Sequence, residues 1–169
     1  MSALRDCGKC TLCCKVMEIT ELSKPVGKWC HHCGVGVGCT IYGQHPASCK
    51  SFRCGYLDGA VSEEWKPDKS HLILTFVPVL KYPVIHVDPG YPDAWRKEPV
   101  HSQIRQWAID LDKSNGMVLV SLNGHFTVVF PIGEKYIGIV PPGKLIATGR
   151  RATPGGIEYL AVLTDRPRR

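Results

Sequence analysis

Nine cysteines occupy the stretch from Cys7 to Cys54, and none follows. They read Cys7-x-x-Cys10-x-x-Cys13-Cys14, then Cys30-x-x-Cys33, then Cys39, Cys49 and Cys54. Thiols at this density either form disulfides or bind soft metal ions, and the compartment decides between the two. Nine is odd, so complete internal pairing is impossible. The opening Met1-Ser2-Ala3-Leu4-Arg5-Asp6 carries no apolar signal core. Secretion is therefore not expected, and a cytoplasmic chain keeps its thiols reduced. The sequence predicts a thiolate metal site for which all nine cysteines are candidate ligands.

A Cys-x-x-Cys turn presents two sulfurs to one metal while backbone amides donate hydrogen bonds to them. Cys7 and Cys10 with Cys30 and Cys33 match a four-thiolate zinc site made of two such turns. Cys7, Cys10 and Cys13 also match the way ferredoxins offer three ligands to an iron–sulfur cluster, with a fourth from farther on. The cofactor expected is therefore zinc or iron, the latter as an iron–sulfur cluster. The adjacent Cys13 and Cys14 would strain if both bound one tetrahedral ion, so one of them is expected to serve a second metal, to bridge two, or to stay free. Two sites or a multinuclear cluster account for nine thiols better than one site does. Cys39, Cys49 and Cys54 with Cys13 or Cys14 would complete a second set. His31, His32 and His45 lie among the cysteines and are further candidates, whereas His71, His86, His101 and His125 are read as ordinary strand or surface residues. Gly34 to Gly38 is a glycine-rich loop without the Lys-Ser or Lys-Thr of a phosphate cradle, and is read as a connection between ligands.

With 169 residues, 44% of them hydrophobic and 21% charged, the chain has an ordinary globular composition and no apolar run of membrane-spanning length. The formal charge of +6 admits an acidic partner such as nucleic acid. Lys9, Lys15, Lys28, Lys50 and Arg53 interleave the cysteines, however, and are read as compensation for thiolate charge. Asp165 to Arg169 is read as a frayed basic tail.

Two regions must position these groups. Residues 1–60, rich in Cys and Gly, are expected to be a metal-held subdomain with a short helix between Thr11 and Leu22. Residues 61–169 read as a sheet region, entered through a linker or turn at Glu64 to Asp68. Strands are expected over His71 to Val79, Tyr82 to Val87, Met117 to Leu122, His125 to Phe130, Lys135 to Val140 and Ile157 to Leu163. Asn123-Gly124 is a hairpin turn. Pro99 to Lys113 is the one main helix, with Val100, Ile104, Trp107, Ala108 and Leu111 on one face and Asn115-Gly116 as its stop. The fold class is α+β, a cysteine-rich subdomain on a small antiparallel sheet.

Cys7-x-x-Cys10-x-x-Cys13-Cys14, followed by Gly38-Cys39-Thr40-Ile41-Tyr42 and Pro46-x-x-Cys49-Lys50-x-Phe52, resembles the CxxCxxCC family of zinc- or iron-chelating proteins, also called the YkgJ family. The resemblance runs from Cys7 to Leu57 and implies metal chelation by the matched cysteines. The family commonly has Arg-Pro at His45-Pro46 and Arg at Lys50, and Cys30, Cys33 and Cys54 look like a subgroup feature. A related cysteine arrangement occurs in flagellin lysine methylases, but this chain is shorter and shows no cofactor-binding pattern beyond the cysteines, so that activity is not carried over. The leading expectation is a metal-binding protein whose centre is structural for a module that binds a protein partner. An iron–sulfur redox protein or enzyme is the alternative, and storage or delivery of a soft ion such as Cu(I) the third.

Overall fold

The computed structural model describes residues 5–77 and 82–166. Pro78 and Val79, expected to end the first strand, lie outside the described residues, as do Pro167, Arg168 and Arg169 of the expected tail.

The sheet region is built on five strands in the order β3 (Leu72–Phe76), β4 (Pro83–Val87), β5 (Val118–Leu122), β6 (His125–Val129) and β7 (Glu134–Ile139). The chain is α+β, as its sequence indicates. The sheet, however, is not wholly antiparallel: β4 and β5 run parallel, with Ile85 opposite Val120. The cause is the helix α4 (Val100–Asp112), which lies between them in sequence and carries the chain back to the end where β4 began. The β5–β6 hairpin turns on Asn123 (φ 52°) and Gly124 (φ 79°), the paired left-handed conformations of a two-residue turn. A separate two-stranded ribbon, β8 (Lys144–Thr153) with β9 (Gly156–Asp165), completes the fold. β9 contains the expected Ile157 to Leu163 strand, and β8 was not foreseen.

Alternation along the strands divides the core in two. Ile85, Val87, Val118, Val120 and Val129 face one side, where Val100, Ile104 and Ala108 of α4 close over them. Val84, Leu119 and Val128 face the other side, where Ala161, Ile146 and Tyr159 of the ribbon cover them. Ile104 is wholly buried, which on apolar transfer alone contributes about 1.5–3 kcal/mol. α4 ends as its sequence indicates: Asn115 is left-handed (φ 55°) and the Gly116 amide donates to the Leu111 carbonyl at 2.8 Å.

Of the two readings of Glu64 to Asp68, the turn holds and the linker does not. A 3-10 turn at Glu63–Trp65 leads into α3 (Pro67–Ser70), and Trp65 is buried against Trp107, ring centroids 5.2 Å apart. The indole fills space between α4 and the cysteine-rich region, which a solvated connector would leave empty.

The cysteine-rich region has little regular structure: α1 (Cys13–Val16), a 3-10 turn at Thr20–Leu22, the two-residue strands β1 (Cys33–Gly34) and β2 (Gly38–Cys39), and α2 (Ala47–Ser51). The short helix expected between Thr11 and Leu22 forms as α1 and stops after one turn. Met17 turns extended (φ −86°, ψ 147°), and Ile19 pairs instead with Lys24 as an isolated bridge. Leu12, Val16, Cys54 and Tyr56 belong to the same continuous core as Leu72, Ile73 and Ile85. Three contacts fix this layer to the sheet. The Gly55 amide donates to the Leu74 carbonyl at 2.7 Å, and a Cβ at Gly55 would stand 2.7 Å from Leu74 Cδ2. Gly27 (φ 72°) lies so close to the hairpin turn that a Cβ there would be 1.9 Å from Asn123 Oδ1. Lys15 Nζ donates to Asp88 Oδ1 at 2.5 Å.

Candidate metal centre

The cysteines are delivered by tight turns. The Cys10 amide donates to the Cys7 carbonyl (2.9 Å) and the Cys33 amide to the Cys30 carbonyl (3.0 Å), so both Cys-x-x-Cys segments close as expected. Gly8, at φ 52°, supplies the left-handed residue in the first. The Cys14 amide donates to Thr11 O (3.0 Å), which starts α1 and places Cys13 and Cys14 on successive positions of one helical turn. The second Cys-x-x-Cys turn is stitched to that helix, since the Cys30 amide donates to the Cys14 carbonyl at 2.9 Å. Gly34 to Gly38 closes the β1–β2 hairpin, which sets Cys33 directly opposite Cys39. The Gly36 amide reaches back to Thr11 Oγ1 at 3.1 Å. α2 presents Cys49, and the Glu21 carboxylate holds that helix by accepting from Ser48 N (3.1 Å) and Ser48 Oγ (2.8 Å).

Eight of the nine cysteines converge on one cavity of about 400 Å³: Cys7, Cys10, Cys13, Cys14, Cys30, Cys39, Cys49 and Cys54. Cys33 is not among the residues that line it, although its strand partner Cys39 is. None of the nine is in a disulfide. His32 and His45 line the cavity and His31 does not; its ring lies against that of His32, centroids 4.0 Å apart. His45 Nδ1 accepts from the Gly43 amide at 2.9 Å, so its proton sits on Nε2. A metal-bound imidazole instead donates from its second nitrogen, and His45 is set up as a hydrogen-bond donor at the rim. Met17, Ile19, Leu22, Ile41 and Phe52 supply the apolar part of the wall.

The thiols are not poised as nucleophiles. Burial pushes the Cys7 and Cys10 thiols up, the charge of Cys54 adding to the effect at Cys7, while the Leu12 amide pulls Cys10 partly back. Cys14 is raised furthest, by its hydrogen bond with Cys13 and by burial. Burial and the charge of Cys14 push Cys33 up to about 11, and burial also raises Cys49. Reactive cysteines require the opposite environment. Ligand cysteines are compatible with it, because a bound cation replaces the proton.

Cys14 bears on both Cys-x-x-Cys turns: its charge raises Cys7 of the first and Cys33 of the second. Among the described residues no three His, Cys, Asp or Glu side chains are gathered tightly enough to hold a single ion. Thiolates are soft donors, of the kind that zinc, Cu(I) and iron–sulfur clusters take.

Sequence reasoning missed Lys24, which is buried beside these thiols, and Thr11, which bonds both Cys33 and the hairpin loop. Neither has a local signal: Lys24-Pro25 reads as a turn, and Thr11 as one more residue between cysteines. No family model, no curated protein and no solved structure matches this chain.

Proposed function

We propose that this chain is a metal-binding protein whose cysteine-lined cavity holds a polynuclear metal–thiolate centre, an iron–sulfur cluster or a zinc cluster. The observation that carries the reading is the convergence of eight cysteines from five separate segments on one cavity of about 400 Å³. The thiols would supply the ligands, the Cys-x-x-Cys amides would stabilise them, and the centre would order a region with almost no hydrogen-bonded ladder of its own. The likeness to CxxCxxCC proteins points the same way and rests on the cysteine motifs. Free thiols suit a reducing compartment such as the cytoplasm, and no helix among the described residues is long and apolar enough to cross a membrane.

In this reading the centre is structural, and the region it orders, with the sheet beneath, is the module that meets a protein partner. A second reading, an iron–sulfur redox protein or enzyme, is favoured by the apolar wall of Met17, Leu22, Ile41 and Phe52, which would shield a cluster from water.

The test is elemental analysis with an absorption spectrum on untagged protein prepared without oxygen. Two or more metal atoms per chain, lost when Cys10, Cys13 and Cys14 are replaced by Ser, are expected. Iron with sulfide and a broad visible band selects the redox reading, and zinc without colour the structural one. Protein that holds no metal after anaerobic preparation, or that keeps it in the Ser variant, overturns the proposal.

A further inference from the structure

Lys24 is 5% exposed. Its ammonium donates to the Lys15 carbonyl at 2.7 Å and to the Met17 carbonyl, the two acceptors left open where α1 ends. Among the described residues no carboxylate lies within ion-pair distance of it. Lys15, nine positions earlier, is the contrast: it is matched by Asp88 at 2.5 Å. A buried cation without an anion is costly, and carbonyl dipoles alone offset only part of that cost. The two carbonyls follow Cys14 by one and three residues, so the ammonium sits at the end of the helix that carries Cys13 and Cys14; burial lowers its pKa, and the sulfurs of Cys14, Cys30, Cys13 and Cys49 oppose that shift only in part.

We propose that Lys24 is the built-in counter-cation of the thiolate centre, a positioning residue that fixes the end of the Cys13–Cys14 helix and neutralises part of the charge that metal-bound thiolates bring into the cavity wall. The inference rests on the metal-centre reading and deepens it. Four or more thiolates on a divalent ion leave a net negative assembly, and a fixed positive charge at the back of the wall favours it without occupying a coordination position. The same residue ties ligand geometry to fold, because its main chain pairs with Ile19 while its side chain holds α1. Lys9, Lys28 and Lys50, which the sequence alone suggests for this role, are exposed, and water screens their charge.

The experiment uses full-length reduced protein loaded with Co(II), with nitrilotriacetate as competitor and cobalt–thiolate absorption as the readout. Lys24→Gln keeps a donor for the two carbonyls but removes the charge, Lys24→Arg keeps both, and Lys28→Gln removes an exposed charge. Lys24→Gln is expected to bind Co(II) roughly tenfold more weakly or worse, with Lys24→Arg and Lys28→Gln within about threefold of the parent. Far-ultraviolet circular dichroism reports folding, and if Lys24→Gln does not fold, Lys24→Met with the apolar stem retained is measured instead. Equal affinity of the Gln variant and the parent overturns the counter-cation role and leaves the metal reading intact. Equal losses in the Gln and Arg variants reduce Lys24 to a structural cap and also overturn it. A parent protein without the cobalt–thiolate band overturns the metal reading, and this inference with it.

Discussion

The sheet region and the cysteine-rich region are ordered by different means. Across β3 to β7 every strand is paired, and Ile85, Val118 and Val128 are completely buried between two covering layers. From Arg5 to Leu57 the longest helix has five residues and the only strands have two, and what is concentrated there is side-chain chemistry. Backbone ladders hold the first region, whereas the second leans on the sheet through Gly55, Gly27 and Lys15 and gathers thiols where ligation would finish the job. Backbone pairing and thiol chemistry are thus separated along the chain, although one apolar core runs through both regions.

The sharpest way to break this contrast is to remove the proposed ligation. Protein with Cys7, Cys10, Cys13 and Cys14 changed to Ser is expected to lose amide protection over residues 7–57, with local opening free energies falling toward zero, while β4, β5 and β6 stay protected. Hydrogen exchange with mass spectrometry reads both regions at once, and equal loss in both would erase the distinction. Next in size is Ile104→Ala, which empties the centre of the sheet core and is expected to lower stability by about 2–5 kcal/mol in urea titrations. It acts on the whole protein, because both regions share that core.

Asp88→Asn addresses the junction. Asp88 Oδ1 accepts from Lys15 and from the Gly90 amide at 2.9 Å, and the His71 ring, stacked on Tyr91, stands 3.8 Å from Oδ2. Losing the charged bond is expected to cost about 1.5–3 kcal/mol and to raise proteolytic sensitivity near Lys15 before any change in the sheet. The smallest effect concerns pH. Burial pushes His86 down to about 4, against an ordinary 6.5, and its Nε2 lies 2.9 Å from Thr75 Oγ1. The unfolded chain then takes up a proton that the folded one refuses, so this contribution is present above pH 6.5 and is lost as the pH falls from about 6.5 toward 4. His86→Gln is expected to flatten the acid limb of a stability–pH curve, and an unchanged slope would remove His86 from the account.

Much of the sheet was legible because its signals are local. Asn123-Gly124 makes the turn that its φ values demand, and Val100, Ile104 and Ala108 fall on the buried face of α4. Strand direction carries no local signal, and the parallel β4–β5 pair follows only from where α4 places the chain. β8 went unread because Gly149-Arg150-Arg151 interrupts any alternation; it is specified by its partner β9, and Arg151 finds Glu158 there. Of the linker and turn readings of Glu64 to Asp68 the turn holds, because one indole, Trp65, outweighs its charged neighbours. In the candidate site the identity of the cysteines was plain, but their grouping was not. Spacing pairs Cys7 and Cys10 with Cys30 and Cys33, while the fold brings Cys7, Cys10 and Cys30 to the cavity and leaves Cys33 out of its lining.

The struts of the cysteine layer also fix a timetable. Leu74, Asp88 and Asn123 are all translated after the last cysteine. The cysteine layer therefore emerges from the ribosome before the sheet that braces it can fold. On chains stalled before Asn123 the cysteine region should be cut by a protease more readily than on released chains. If its thiols hold metal as proposed, their exposure to oxidation is longest during synthesis.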